Sequence, residues 1–304
     1  MENKTQIILI IGIILVLVTL SIFTLPISPL PWFDEVFFSS IAYNFAGGNA
    51  FEFTVAPPYL LEDRQEYTYG PVYFIIAAIP YLLFDSSEWL IRIISLLFGI
   101  FGILMISKLL KGNSIKVKLI LTLLILSDII FTSNSHGGRM DTMAIAFWLG
   151  GLFIFFEAKN MEKTKPWLVG FLFALGYLIT PRSFMIYGNI AIIIPIYLLI
   201  KSNLKSAFIT SLKLATSFVI PVAIWIVWAF GSFKEYQLHY AQLSSGYIGG
   251  TPPPPVFQWP LIFCVCALLL YGLIAKREKF IQSFGEPIVP FSIVSIISFY
   301  FLVF

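Results

Sequence analysis

Long uncharged runs of apolar residues recur along the whole chain and separate short segments that carry most of the charge. Three of these runs extend from Ile7 to Leu25, from Leu214 to Phe230 and from Pro287 to Phe304. A helix of about 20 residues crosses the hydrocarbon core of a bilayer, so such runs predict membrane helices. The pattern therefore predicts an all-α polytopic membrane protein.

The apolar runs predict about nine membrane helices. They lie at residues 6–25, 89–110, 119–134, 140–157, 166–181, 184–200, 206–230, 259–275 and 287–304. One further apolar segment, residues 71–84, is fourteen residues long and contains Pro71 and Pro80. That length fits an interfacial or re-entrant segment better than a full crossing.

Composition agrees with a membrane location. Of the 304 residues, 59% are hydrophobic and 12% are charged, and the mean hydropathy is +0.90. A soluble globular chain has about 25% charged residues. No basic stripe with interleaved aromatic residues is present, so no nucleic-acid partner is expected.

The distribution of lysine sets the predicted orientation, because cytoplasmic segments of membrane proteins carry an excess of Lys and Arg. If residues 71–84 do not cross, the lysines within 108–118, 159–165, 201–205 and 276–279 all face the cytoplasm. If that segment crosses, nearly all of these lysines face outward. We therefore predict a multi-pass protein of the cell membrane with a cytoplasmic N-terminus, held by an uncleaved signal anchor, and an outer C-terminus.

This topology predicts three parts. Residues 1–230 form a transmembrane module whose long outer loop, 26–88, contains the interfacial segment 71–84. Residues 231–258 form a second outer loop, and residues 259–304 form two C-terminal membrane helices. Long loops in a compact protein usually carry function, so we expect the functional site on the extracytoplasmic side.

Acidic residues and arginines collect on the predicted outer side, whereas the inner segments contain mostly lysine. Arginine presents a planar fork that suits phosphate groups. Asp128 lies inside an apolar run. An acidic side chain within a membrane is costly, so it is interpreted first as a functional residue. The candidate site residues are Asp34, Glu35, Arg64, Tyr69, Arg92, Asp128, His136, Arg139, Asp141, Arg182, His239 and Tyr240.

Several of these residues also have an ordinary structural interpretation. An acidic pair in an outer loop is commonly solvated, and Arg139 and Arg182 could snorkel from helix ends. His136 and His239 could be hydrogen-bonding loop residues, because two histidines far apart in sequence make a weak metal site. Asp128 could be a protonated core residue or a partner of Arg139.

Four short motifs follow one another along the first half of the chain. They are Phe33-Asp34-Glu35 after the first helix, Tyr69-Gly70-Pro71-Val72-Tyr73, the run from Leu83 to Arg92, and Arg139-x-Asp141. Their order resembles the GT-C superfamily of glycosyltransferases, in particular its protein-mannosyltransferase and aminoarabinose-transferase branch. Seven helices are predicted up to residue 230, which is the number in the shared module of that superfamily.

One element departs from the aminoarabinose-type enzymes that the chain resembles. Those enzymes carry Tyr-Lys-Pro-Pro-Leu where this chain has Tyr69-Gly70-Pro71-Val72-Tyr73. Gly70 therefore stands in place of a lysine, and Tyr73 in place of a leucine. This substitution bears on how the donor phosphate is held.

The resemblance implies transfer of a sugar, with inversion, from a polyprenyl-phosphate donor to a lipid, glycan or protein acceptor on the extracytoplasmic side. Asp34 would act as the base, and Glu35 would position Asp34 or the acceptor. Cations would stabilise the leaving phosphate. The first candidates for this role are Arg139 and Arg182, and the next are Arg64 and Arg92. The sugar or acceptor site would be lined by His136, His239 and Tyr240. No cofactor is expected, and the acidic cluster leaves a divalent metal open.

Two other functions compete with transfer. A transporter or lipid-handling protein would place polar groups near the bilayer midplane and contain internal repeats. Only Asp128 lies at such a depth in the predicted topology, and no clear repeat is present. The third interpretation is an inactive GT-C-like subunit that requires a partner.

Overall fold

The computed structural model describes scattered positions between residues 8 and 30, then 33–52, 67, 69–84, 89–110, 115–127, 129–157, 165–181, 183, 194, 195, 197, 198 and 203–246. Nine helices have both ends within the described residues, and described positions between 8 and 24 and at 194, 195, 197 and 198 are also helical. The nine helices are α1 (Phe33–Ala46), α2 (Pro71–Leu83), α3 (Leu90–Leu109), α4 (Ile115–Ser127), α5 (Ile129–His136), α6 (Asp141–Glu157), α7 (Pro166–Ile179), α8 (Leu204–Phe230) and α9 (Phe233–Gly246). These residues contain no extended strand, which confirms the predicted all-helical fold class for the described part of the chain.

Four predicted membrane helices are confirmed as helices, namely those at 89–110, 140–157, 166–181 and 206–230. The predicted helix at 119–134 falls on α4 and α5. Among the described helices, α3 and α8 are long and apolar enough to cross a membrane. The predicted helices at 259–275 and 287–304 lie outside the described residues, so the total of nine crossings stays a prediction.

The chain divides into two compact units, residues 1–181 and 182–304. In the first unit, small residues allow close packing between the helices. The Trp148 ring of α6 stacks on the Phe173 ring of α7, with 4.5 Å between ring centroids. Gly176 faces the same indole, and a Cβ atom at Gly176 would lie 2.6 Å from Trp148 Cδ1. Glycine at such a position lets two helix backbones approach closely.

The segment predicted to be interfacial, 71–84, forms the short helix α2. It begins with Pro71 at its first turn, and its 13 residues span about 20 Å, which is too short to cross a bilayer. Gly70 precedes it and packs on the backbone of α7, because a Cβ atom at Gly70 would lie 2.0 Å from the Leu178 carbonyl oxygen. The start of α2 is therefore fixed against α7 by a contact that only glycine permits.

The helix α1 was missed by the sequence prediction, which assigned residues 26–88 to an outer loop with one interfacial segment. Its buried side chains Phe38, Ile41 and Ala42 recur at helical spacing and form the face that packs on α2. The helix is only 14 residues long. The prediction considered apolar runs that are long enough to cross a membrane. An amphipathic helix of this length therefore escaped it.

In the second unit, α8 begins at a capped end, where the Asn203 side chain accepts a hydrogen bond of 2.8 Å from the Ser206 amide. The following helix, α9, was also missed, because residues 231–258 were predicted to be a loop. The Glu235 amide donates to Ser232 Oγ over 3.2 Å. The Ser-x-x-Glu pattern is a helix-start signal that could have revealed α9 from the sequence.

Candidate active site

The first unit brings charged residues of three sequence motifs together, and Tyr69 of the fourth motif lies beside them. The acidic pair lies in the first turn of α1. Arg92 lies in the first turn of α3, and Arg139 and Asp141 lie at the corner between α5 and α6. We call the residues Gly137–Met140 the α5–α6 corner. Polar side chains from three separate parts of the sequence therefore meet at one place.

Glu35 and Arg92 form a fully buried ion pair, with side chains 0% and 2% exposed. Arg92 Nη2 donates to Glu35 Oε2 over 2.9 Å, and Arg92 Nε donates to Glu35 Oε1. Arg92 Nη1 donates to the Leu25 carbonyl. The two-pronged ion pair joins the start of α1 to the start of α3. The bond to Leu25 joins both to the end of the predicted first membrane helix.

Arg139 lies between two carboxylates and is partly open to solvent. Its Nε donates to Asp141 Oδ2 over 2.7 Å, and its Nη1 lies 3.5 Å from Asp34 Oδ2. The side chains of Arg139, Asp34 and Asp141 are 23%, 30% and 29% exposed. In contrast to the Glu35–Arg92 pair, this cluster can be reached by a ligand.

The charge of Arg139 is set by these neighbours. Burial lowers the pKa of the guanidinium, but attraction to Asp141, the hydrogen bond from Arg139 to Asp141, and attraction to Asp34 together outweigh burial. The pKa of Arg139 is therefore raised above its usual value. Arg139 is a permanent cation at any physiological pH.

The backbone of the α5–α6 corner is held by side chains from two other helices. The Tyr73 hydroxyl of α2 donates to the Gly138 carbonyl over 2.5 Å. The Ser95 hydroxyl of α3 donates to the Arg139 carbonyl over 2.7 Å, and the Thr142 hydroxyl donates to the Ser95 carbonyl over 3.0 Å. These contacts tie the start of α6 to α2 and α3.

Gly138 requires glycine for two reasons. Its φ of +64° lies in the left-handed region, which L side chains rarely adopt. A Cβ atom there would lie 2.7 Å from Ile91 Cγ2 and 3.2 Å from Glu35 Cγ. The corner therefore packs directly on the residues that form the buried ion pair.

Two more predicted site residues lie next to this cluster. The Tyr69 ring packs edge-on against Phe38 of α1, with 5.1 Å between centroids, and its phenol acts electrostatically on Arg139. His136 ends α5, and its Nδ1 lies 3.2 Å from Ser135 Oγ. Tyr69 therefore adjoins the part-exposed cluster of Asp34, Arg139 and Asp141 in space, and His136 adjoins it in sequence.

The remaining predicted site residues are either outside the described residues or part of the second unit. Arg64, Asp128 and Arg182 are outside the described residues, so their roles stay predictions. His239 and Tyr240 lie on α9 in the second unit. The His239 ring packs on Phe230 with 5.2 Å between centroids, and burial lowers the pKa of its imidazole. Within the described part of the chain, no three His, Cys, Asp or Glu side chains group as metal ligands.

The sequence analysis assigned no role to Tyr73, Ser95 or Gly138. Tyr73 and Ser95 are uncharged residues inside apolar helices, where a hydroxyl is commonly satisfied within its own helix. Only the tertiary structure shows that both hydroxyls donate to carbonyls of the same corner. The adjacent Gly137-Gly138 pair was the available signal of an unusual backbone.

Residues 68–228 match the family model described as dolichyl-phosphate-mannose-protein mannosyltransferase, which covers more than half of the chain. The chain belongs to this family. It is thus a membrane glycosyltransferase of the GT-C type, and the predicted resemblance is confirmed. The matched range includes Arg92, Arg139 and Asp141, and it begins after Asp34 and Glu35. No curated protein and no solved structure matches the chain.

Proposed function

We propose that the chain transfers a sugar from a polyprenyl-phosphate donor to an acceptor hydroxyl on the extracytoplasmic side, with inversion at the anomeric carbon. The observation that carries the proposal is the part-exposed cluster in which Arg139 lies between Asp34 and Asp141. It offers a carboxylate and a permanent cation side by side. Both groups are required where a hydroxyl attacks a carbon that bears a phosphate leaving group.

The proposed step is a single displacement. The acceptor oxygen forms a bond to the anomeric carbon while its proton passes to the Asp34 carboxylate. The bond between the anomeric carbon and the phosphate oxygen breaks, and its electron pair remains on the lipid phosphate. Because attack and departure occur on opposite sides of the carbon, the anomeric configuration inverts.

Arg139 stabilises the negative charge that develops on the departing phosphate. A fixed cation costs little reorganisation at the moment of reaction, and one such contact typically contributes about 10²–10³ in kcat. Asp141 holds the guanidinium on one side through the 2.7 Å hydrogen bond. The two other Nη donors can then turn toward phosphate as Arg139 leaves the longer, 3.5 Å contact with Asp34. Departure of Arg139 from Asp34 also leaves that carboxylate available for the acceptor proton.

Glu35 and Arg92 have a positioning role in this proposal. Both side chains are almost fully buried and are paired with each other. Their pairing fixes the first turn of α1, and it thereby fixes the adjacent Asp34. Arg64 and Arg182 remain further candidates for the phosphate, and His136, His239 and Tyr240 for the sugar or acceptor.

The test is sugar transfer by the purified protein in lipid, with a panel of polyprenyl-phosphate sugars and with lipid, glycan and peptide acceptors. Asp34→Asn removes the base and keeps the shape of the side chain. Glu52→Gln is the matched control, because it removes a carboxylate from the same predicted outer segment.

We expect transfer to fall by about 10²–10⁴ in Asp34→Asn, as for loss of a general base, and to persist in Glu52→Gln. Donor binding should survive in both variants. Equal transfer by wild type and Asp34→Asn would remove Asp34 from the chemistry. If no donor of the panel is bound or transferred, the result would favour a transporter, a lipid-handling protein or an inactive subunit.

A further inference from the structure

The backbone on both sides of the Arg139 Cα atom is held by hydroxyl groups from outside the α5–α6 corner. Tyr73 Oη donates to the Gly138 carbonyl, and Ser95 Oγ donates to the Arg139 carbonyl. Both donors are completely buried, with 0% of each residue exposed. A buried hydroxyl that loses its partner is costly, so each donor and its carbonyl hold one another in place.

These two bonds act where the backbone leaves the helical conformation. The Gly137 amide bond to the Ser133 carbonyl continues the turn of α5, and Gly138 then has a left-handed φ of +64°. Because the side chain of Arg139 departs from the Cα atom between the two held peptide groups, their orientation sets its direction. The direction of Arg139 toward Asp34 and Asp141 is therefore determined by α2 and α3.

We propose that Tyr73 and Ser95 are positioning residues that direct the Arg139 guanidinium into the part-exposed cluster. Both residues are uncharged, and each donates its hydrogen bond to the corner backbone. The effect on Arg139 follows from the geometry alone. Its consequence for donor binding rests on the proposed function, because it assumes that Arg139 contacts the lipid phosphate.

A second buried tyrosine on the same helix provides a matched control. Tyr81 of α2 shares a hydrogen bond of 2.5 Å with Ser39 of α1, and both side chains are buried. Tyr81→Phe therefore removes one buried tyrosine hydroxyl from α2, as Tyr73→Phe does, and leaves the bonds to Gly138 and Arg139 intact.

The first experiment needs no ligand. Amide hydrogen exchange of residues 137–143 is measured in detergent-solubilised wild type, Tyr73→Phe and Tyr81→Phe, with Ser95→Ala and Ser39→Ala as a second matched pair. We expect exchange in this segment to be about twofold to tenfold faster in Tyr73→Phe and Ser95→Ala, as for one net hydrogen bond. We expect no change there in Tyr81→Phe and Ser39→Ala. Equal exchange in each variant and its control would overturn the proposal.

The second experiment measures binding of a polyprenyl phosphate without sugar. We expect the Kd to rise about threefold to tenfold in Tyr73→Phe, and Tyr73→Phe to have no further effect in an Arg139→Gln background. The same fold increase in both backgrounds would show that Tyr73 does not act through Arg139, which would overturn the proposal. If wild type binds no polyprenyl phosphate, the proposed function fails, whereas the exchange measurement still decides whether the corner is held.

Discussion

Glu35 and Arg92 meet in a buried, two-pronged ion pair, although Glu35 is adjacent in sequence to the part-exposed Asp34. The first turn of α1 directs the first acid outward and the second acid inward. The acidic pair that the sequence presents as one motif is therefore two groups with different environments. One of them can meet a substrate, and the other stabilises the arrangement.

The first prediction concerns this ion pair. Arg92→Gln leaves Glu35 buried without a cation, and removing one partner of a buried pair costs about 3–5 kcal/mol. We expect a marked loss of stability, measured as the thermal unfolding temperature in detergent. Arg139→Gln is the control, because Arg139 is 23% exposed and its carboxylates can be solvated. A loss of stability in Arg139→Gln as large as that in Arg92→Gln would contradict this interpretation of burial.

The second prediction concerns Gly138. Alanine there must adopt φ near +64° and approach Ile91 Cγ2 at 2.7 Å. Gly48→Ala is the control, because Gly48 has φ of +91° and no atom within 4 Å of an added Cβ. The left-handed backbone alone costs about 1–2 kcal/mol, so both variants lose stability and Gly138→Ala loses more. Only Gly138→Ala should also weaken polyprenyl-phosphate binding, which is measured on the same preparations. Weakened binding in Gly48→Ala as well would oppose a local effect at the corner.

The third prediction concerns the packing of Gly70 against α7. An added Cβ atom would lie 2.0 Å from the Leu178 carbonyl oxygen, which belongs to the backbone and has little room to move. We expect Gly70→Ala to lower the unfolding temperature strongly. Gly102→Ala is the matched control, since its Cβ would meet only Leu149 Cδ1 at 3.8 Å and since alanine favours helix by about 1 kcal/mol. Gly102→Ala should therefore be neutral or stabilising, and similar unfolding temperatures for the two variants would refute the close contact.

The fourth prediction concerns pH. Burial lowers the pKa of His239 below its usual 6.5, so the unfolded chain takes up a proton at a higher pH than the folded chain does. The contribution of neutral His239 to stability is complete above about pH 6.5 and is lost as the pH falls through the folded pKa. Wild type should therefore lose more stability than His239→Gln between pH 7.5 and 5.5, measured by thermal unfolding. An identical loss in both proteins would show that His239 does not contribute.

The sequence predicted the helices whose apolar runs are longest, because the cost of exposing backbone in lipid makes such runs unambiguous. It missed α1 and α9, whose lengths of 14 residues are shared by surface and interfacial helices. Hydropathy alone does not separate such helices from loops. The Ser232–Glu235 cap shows that the local chemistry of a helix start carries information that hydropathy lacks.

The candidate site was predicted from charge, and in the structure Arg139 contacts both Asp34 and Asp141. Charge alone did not show that Glu35 and Arg92 are buried whereas Asp34 and Arg139 are partly exposed. This difference in burial depends on how α1, α3 and the corner pack. Tyr73 and Ser95 carry no charge, and the bonds that they donate join residues 65 and 44 positions apart in sequence. Such long-range bonds to backbone carbonyls leave no local pattern.

The contact between Gly70 and Leu178 has a consequence for comparing this chain with the aminoarabinose-type enzymes that it resembles. A lysine in place of Gly70 would need space that the backbone of α7 occupies. Grafting the lysine onto this chain would therefore not reproduce the aminoarabinose-type element by itself. The larger side chain can be accommodated only if α2 and α7 move apart, so the packing of the main chain limits which residues this position accepts.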